Sequence, residues 1–304
     1  MKHVLTAVVP AIGGCNLKCA GCFIDQRDEA STIVLQDEDY LRFFAEAFTM
    51  PGVQAFSIQG HEALLPSAYS LSRSLLQMSW EAKHVTSLVT NGVYLKEVAH
   101  EVVLITDGIA VSVDSHDPVL HDLTRGQVGA WQKTIDGIKA VRDCFDTSEE
   151  GSEVFAEYLT VASILYPNKV NRLINMPKLL AKLGVTKWLI NPLVSVKNGQ
   201  YNDHDNQRIR ANILELTEEG KMHGVEVALA DEFRRMEHVE DLYQVLSVDT
   251  LDKDEIVSRL SPNAGFSIGQ EILREESPRI WDRTEHPVEF FQKALAEYHA
   301  QHLV

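Results

Sequence analysis

The sequence predicts an α/β protein: a partial (β/α)6 barrel of parallel strands, TIM-like, followed by a C-terminal extension that caps it. Apolar, β-rich runs alternate with helical patterns at a regular pace over residues 1–230, and such alternation gives parallel strands joined by right-handed crossovers. The strand runs are nearly continuously apolar, as required where both faces of a sheet are covered. Clusters of short polar residues fall just after the strand runs, at the end where a parallel barrel carries its chemistry. A chain of 304 residues holds one barrel of roughly 200–250 residues plus an extension more naturally than two equal domains.

The elements follow in order. Val4–Pro10 reads as a strand that delivers a cysteine-bearing loop. Asp37–Phe48 reads as a helix, because Tyr40, Leu41, Phe44, Ala47 and Phe48 share one face. Val53–Gln59 is a strand, and Pro66–Ser79 a helix opened by a proline whose fixed φ suits a first turn. Val85–Thr90 is a strand, Tyr94–Glu101 a short helix and Gly108–Asp114 a strand. Ala130–Phe145 is a helix with Thr134, Ile138, Val141 and Phe145 in line. Val154–Tyr166 reads as a long strand, Pro177–Leu183 as a helix and Lys187–Val194 as a strand. Ser195–Asp205, with Asn198-Gly199, is a polar surface loop. Asn206–Met222 is a helix ending before Gly224, and Val225–Ala230 is the last strand of the core. Residues 231–304 break the rhythm with a charged stretch, a Gly-rich segment from Ser261 to Gly269 and a final helix from about Pro287. They form the extension over the barrel mouth. No internal repeat and no low-complexity tract is present.

Composition excludes several classes. The chain is 45% hydrophobic and 24% charged, ordinary for a globular protein. Its net charge of −16 argues against nucleic-acid binding, which needs a basic footprint, and serves solubility instead. No run is long and apolar enough to span a membrane. The first residues, with Ile12-Gly13-Gly14-Cys15, are similar to a bacterial lipoprotein signal, but Pro10 interrupts the apolar stretch and two more cysteines follow at once. The fourth cysteine, Cys144, lies at helical spacing with Ile138, Val141 and Phe145 and reads as a core thiol. No disulfide framework is visible, so a reducing, cytoplasmic setting is expected.

The remaining cysteines carry the chemistry. Cys15, Cys19 and Cys22 stand in the run Cys15-Asn16-Leu17-Lys18-Cys19-Ala20-Gly21-Cys22-Phe23. Three soft thiolates in one loop hold one iron–sulfur cluster or one zinc ion. On a four-iron cluster, three thiolates leave one iron open to another molecule. Zinc would need a fourth ligand from His61, His116 or His121, and lacks the second close ligand pair usual for such sites. The second strand ends in Gln59-Gly60-His61-Glu62-Ala63 and the third in Thr90-Asn91-Gly92. The fourth ends in Ser112-Val113-Asp114-Ser115, with Arg125-Gly126 downstream. The fifth carries Ser163, and the sixth ends in Asn191-Pro192.

Over roughly residues 4–230 this series resembles the radical S-adenosylmethionine (SAM) enzyme family. The C-x3-C-x2-C spacing looks like the family's cluster-binding loop, Gly60-His61-Glu62 like its Gly-Gly-Glu segment, and Thr90-Asn91-Gly92 like its Thr-Asn-Gly. Ser112-Val113-Asp114 and Arg125-Gly126 look like its Ser-x-Asp and Arg-Gly. The resemblance implies one 4Fe–4S cluster on Cys15, Cys19 and Cys22, with SAM on the fourth iron. Phe23, Gly60, His61, Glu62, Thr90, Asn91, Ser112, Asp114, Ser163 and Asn191 are the implied SAM contacts, Glu62 receiving the amino group. Asp114, His116 and Arg125 are the catalytic candidates: Asp114 reads as an acid–base group or the cap of a turn, Arg125 as a carboxylate or phosphate ligand or the partner of an acidic neighbour, and His116 as a substrate-facing or a surface histidine. The sequence departs from the family at His61 and Ala63, where Gly and Pro are usual, and at Gly21, a position often aromatic. The extension contains no cysteine, so a single cluster is expected. Arg234, Arg235, Arg274 and Arg279 are either lid contacts to an anionic substrate or solvated charges.

The implied activity is reductive cleavage of SAM to methionine and a 5′-deoxyadenosyl radical that abstracts hydrogen from a small-molecule or peptide substrate, as in natural-product biosynthesis. The implied electron donor is a flavodoxin or ferredoxin, and the implied cluster is oxygen-sensitive. An alternative in the same fold is aminocarboxypropyl or methyl transfer from the cluster-bound SAM. An alternative of another class is a non-catalytic zinc-binding or partner-binding barrel.

Overall fold

The computed structural model describes residues 2–7, 15–22, 38, 41–42, 44–45, 48–49, 53–59, 61–145, 148–166, 173–193, 203–230, 255–261 and 265–268. The strands are β1 (Lys2–Ala7), β2 (Val53–Ile58), β3 (Val85–Thr90), β4 (Gly108–Ser112), β5 (Leu159–Leu165), β6 (Lys187–Pro192), β7 (Glu226–Leu229), β8 (Glu255–Ser261) and β9 (Gly265–Ile268). The helices are α1 (Tyr69–Glu81), α2 (Leu95–Val103), α3 (Pro118–Arg125), α4 (Ala130–Arg142), α5 (Glu149–Tyr158), α6 (Met176–Leu183) and α7 (Asp203–Met222).

The nine strands of the described residues join one sheet in the order β7–β6–β5–β4–β3–β2–β1–β8–β9. Every neighbouring pair from β7 to β8 is parallel, and β9 returns antiparallel to β8. The first six strands lie side by side in chain order, and among the described residues nothing joins β7 to β9. This is the open, partial α/β barrel that the sequence predicts. Because the six are parallel and sequential, their C-terminal ends share one edge, and the loops that leave them meet there.

The strands are not uniformly covered. In β3, β4 and β6 fully buried residues alternate with half-buried ones. Leu88, Ile109, Val111, Trp188 and Ile190 pack with Leu75, Leu95, Val102, Ile138 and Leu180 of the surrounding helices. The alternate residues, among them Ser112 and Asn191, stay half-buried on the other face. β5, with Leu159, Val161, Ala162, Ser163 and Leu165 buried, and β7, with Val227, Ala228 and Leu229 buried, are covered nearly throughout. Phe44 and Phe48, from the predicted helix before β2, stack against Phe56 at ring-centroid distances of 5.2 and 5.0 Å.

Three element predictions change. Residues 154–158 belong to helix α5, not to a long strand. Ser148 caps that helix by accepting the Gly151 N–H at 3.0 Å, Glu149 and Glu150 fill its acidic first turn, and Phe155 and Tyr158 bury one face. Such a cap contributes about 1 kcal/mol, enough to carry a β-prone segment into a helix. Helix α3 has no counterpart in the sequence reading: Asp117 caps it through the N–H groups of Val119 and Leu120 at 2.8 and 3.2 Å, and Pro118 opens it. In the extension, the Gly-rich segment includes β9, and β8 adds to the sheet beside β1. The rest of residues 231–304, with the predicted helix from Pro287, lies outside the described residues, as does most of the 195–205 loop.

Candidate functional site

The cysteine loop is fastened to the last turn of α3 by main-chain bonds. Lys18 N–H donates to Arg125 O at 3.1 Å, and Ala20 N–H donates to Thr124 O at 2.8 Å. Leu17, at 1% exposure, packs with Val93 and Ala130 beneath the loop. Gly126 ends α3 in the left-handed region, with φ 69°. A Cβ there would stand 2.3 Å from Lys18 O, so the loop lies directly on this glycine. Gly21 is also closely packed: a Cβ would stand 2.8 Å from Leu193 Cδ1 and 2.9 Å from Tyr166 Oη. A larger residue at position 21 would require these two side-chain ends, just beyond β6 and β5, to shift.

Cys15, Cys19 and Cys22 are reduced and half-buried. Cys15 Sγ accepts the Leu17 N–H at 3.4 Å and the Asn91 Nδ2–H at 3.8 Å. Cys19 Sγ accepts an Arg125 Nη1–H at 3.8 Å. Burial pushes the Cys15 thiol up to about 11. It raises the Cys19 thiol too, against the attraction of Arg125. Among the described residues no three His, Cys, Asp or Glu side chains converge on a single-ion position.

Glu62, fully buried after β2, ties the second strand end to the third. Its Oε1 accepts the Thr90 hydroxyl at 2.7 Å and the Leu64 N–H at 3.0 Å, and its Oε2 accepts the Asn91 N–H at 2.7 Å. Burial raises its carboxyl, and these three bonds and Arg125 oppose the rise. An ionised carboxylate offers about four lone-pair positions, so one on Oε2 is open to a further donor. Asn91 Nδ2 donates to Asn16 Oδ1 at 2.8 Å, which links β3 to the cysteine loop. Thr134 Oγ1 of α4 in turn holds Asn91 O at 2.8 Å. His61 has φ 47°, a left-handed conformation costing a side-chain-bearing residue about 1–2 kcal/mol. That geometry explains a family glycine at this position, and histidine is among the residues that tolerate it.

Asp114 and Arg125 form a buried, two-pronged ion pair. Arg125 Nη2 donates to Asp114 Oδ1 at 2.8 Å, and Nε stands 2.8 Å from Oδ2. Ile164 N–H also donates to Oδ1 at 3.1 Å. The Asp114 N–H donates to His121 Nδ1 at 3.2 Å, which leaves the imidazole proton on Nε2. Burial, with Arg125 nearby, pushes His121 down to about 4. An acid–base role for Asp114 would require breaking a pair whose disruption costs about 3–5 kcal/mol.

The other predicted residues are placed as follows. Ser163 Oγ donates to Val113 O and accepts from Trp188 Nε1 at 2.9 Å, inside the core. Ser112 and Asn191 are half-buried on the strands. His116 Nε2 faces Asn175 Nδ2 at 3.3 Å, in the loop before α3. Phe23 and Gly60 lie outside the described residues. Sequence reasoning assigns no role to Asn16, although it lies in the quoted run.

These contacts bring the cysteine loop, Glu62, Thr90, Asn91, Asp114 and Arg125 to one edge of the sheet. Residues 9–150 match the family model of the Radical SAM superfamily. Over that stretch the chain is similar to the radical SAM superfamily. Several solved structures share the fold. SuiB of Streptococcus suis bound to precursor peptide SuiA aligns with a TM-score of 0.61 at 15% identity, covering 95% of this chain and 64% of SuiB. SuiB bound to S-adenosylmethionine aligns at 0.62, with 15% identity over 98% of this chain and 65% of SuiB. Native anSMEcpe with bound AdoMet aligns at 0.64, with 14% identity over 95% of this chain and 80% of that one. This chain thus spans less than two thirds of the length of SuiB. No curated protein matches it in sequence.

The residues present fit a radical SAM cluster. Two of the three sulfurs already accept N–H bonds, as thiolate ligands do. His61 Nδ1, next to Glu62 in the chain, and Asn16 Nδ2, next to Cys15, are buried without a hydrogen-bond partner, and buried polar atoms are seldom left so unless something else meets them.

Proposed function

We propose that this protein is a radical SAM enzyme whose Cys15, Cys19 and Cys22 hold one 4Fe–4S cluster. The observation that carries the reading is the joining of three strand-end elements around one loop: Asn91 and Arg125 donate to the cysteine sulfurs, and Asn91 also donates to the carboxylate of Glu62. When bound, the cluster supplies one electron to SAM, giving methionine and a 5′-deoxyadenosyl radical that takes hydrogen from the substrate. The chain's own residues bind and orient. Glu62, with one acceptor position open, receives the SAM ammonium. Thr90 and Asn91 hold that carboxylate in place, and His61 and Asn16 offer polar atoms to the same ligand. The half-buried Ser112 and Asn191 line the inner face of the sheet, where a nucleoside would lie.

The substrate in this reading is a peptide or a small molecule. The peptide reading draws support from the SuiB and anSMEcpe structures, which share the fold and carry the precursor peptide SuiA and the Cp18Cys and Kp18Cys peptides. A cytoplasmic setting accords with the absence, among the described residues, of any helix long and apolar enough to cross a membrane. The test is product analysis of the reconstituted protein under anaerobic conditions with SAM and dithionite. Methionine and 5′-deoxyadenosine support the reading. Methylthioadenosine or S-adenosylhomocysteine would replace it with group transfer, and intact SAM would overturn both.

A further inference from the structure

Arg125 stands apart from the SAM contacts proposed above. Arg125 is 7% exposed and reaches no open surface. Its guanidinium has two partners on opposite sides: Asp114, through Nε and Nη2, and Cys19 Sγ, through Nη1. Asp114 is itself immobilised by the Ile164 N–H. The backbone of the same arginine accepts from Lys18, one residue before Cys19. The fork is therefore pinned to the loop by its main chain and to the sheet by its side chain.

We propose that Arg125, oriented by Asp114, sets the reduction potential of the cluster held by Cys15, Cys19 and Cys22; this rests on the function proposed above. Reduction adds one electron from a low-potential one-electron donor and leaves the sulfur ligands more negative. An N–H donor and a positive charge at Cys19 Sγ stabilise that state over the oxidised one, and hydrogen bonds to the ligating sulfurs are among the means by which proteins set such potentials. The pair is neutral as a whole but points its positive end at the sulfur. Arg125 is thus a positioning and tuning residue, not a group that touches substrate.

The test is a potentiometric titration of the anaerobically reconstituted protein, followed by electron paramagnetic resonance without SAM. Arg125→Gln is expected to lower the midpoint by at least 59 mV, a tenfold change in a one-electron equilibrium. Asp114→Asn keeps the arginine, removes the opposing negative charge and is expected to shift the midpoint upward. Arg125→Lys keeps the charge without the fork and falls between wild type and Arg125→Gln. Where Arg125→Gln takes up no cluster, Asp114→Asn and Arg125→Lys decide. Opposite shifts for the arginine and aspartate variants support the inference. Unchanged midpoints in variants that retain the cluster overturn it while leaving the proposed function standing. A wild-type protein that takes up no 4Fe–4S cluster overturns both.

Discussion

Replacing Gly126 by alanine tests whether the cysteine loop is built on the end of α3. Gly126 has φ 69°, a conformation that costs alanine about 1 kcal/mol. The added Cβ would also stand 2.3 Å from Lys18 O and 2.9 Å from Lys18 C, both main-chain atoms that yield only if the loop moves. Moving it breaks the bonds from Lys18 to Arg125 and from Ala20 to Thr124, each contributing about 1 kcal/mol. The sum is about 3 kcal/mol, and the displaced segment carries Cys19. Gly129 is the control. It has φ 82° but no atom within 4 Å of an added Cβ, so Gly129→Ala bears the conformational cost alone, about 1 kcal/mol. The assays are urea denaturation and iron and sulfide content after anaerobic reconstitution. Gly126→Ala is expected to lose about 2 kcal/mol more than Gly129→Ala and most of its iron, while Gly129→Ala reconstitutes fully. Equal stability losses with full iron in both variants would refute the reasoning.

The other predictions concern the strand ends. His61→Gly relieves a left-handed residue and is expected to raise stability by up to about 1 kcal/mol, while weakening SAM binding measured by calorimetry; unchanged affinity would remove His61 from the cofactor site. Ser163→Ala leaves the Trp188 Nε1–H without an acceptor and is expected to cost about 1–3 kcal/mol with SAM affinity unchanged; a loss of affinity at wild-type stability would make Ser163 a ligand contact instead. His121 gives a pH dependence. Its value near 4 in the fold lies below the ordinary 6.5, so between those values the unfolded chain binds more protons and folding weakens as pH falls. The total is about 3 kcal/mol, and below pH 4 the effect ends. Denaturation of His121→Gln across this window should show a flatter profile, and a profile parallel to wild type would refute the assignment.

Much of this architecture is legible in the sequence because it follows from local chemistry. The strand–helix rhythm predicts the parallel sheet, and the polar clusters after β2, β3 and β4 stand at one edge because parallel strands end together. The errors have physical causes. Residues 154–158 are β-prone in isolation, but the Ser148 cap and acidic first turn outweigh that preference. Helix α3 spans eight residues, too short for its periodicity to stand out, and only Asp117-Pro118 announces it. At the site, Glu62 and the Thr90-Asn91-Gly92 turn are identifiable, but not that they hold each other. Asp114 reads as a candidate for chemistry and Arg125 as that or as the partner of an acidic neighbour; that the neighbour is Asp114 the sequence does not reveal, because the contact depends on how α3 folds back against the end of β4. The left-handed backbone at His61 is likewise invisible in the sequence, where only the family's usual glycine hints at it.

The most direct test of the account is anaerobic reconstitution with iron and sulfide, followed by electron paramagnetic resonance of the reduced protein with and without SAM. The account predicts a reduced 4Fe–4S signal that changes when SAM is added and disappears when Cys15, Cys19 and Cys22 are replaced by alanine. A signal that SAM does not alter, or a protein that retains zinc and takes up no cluster, would contradict it.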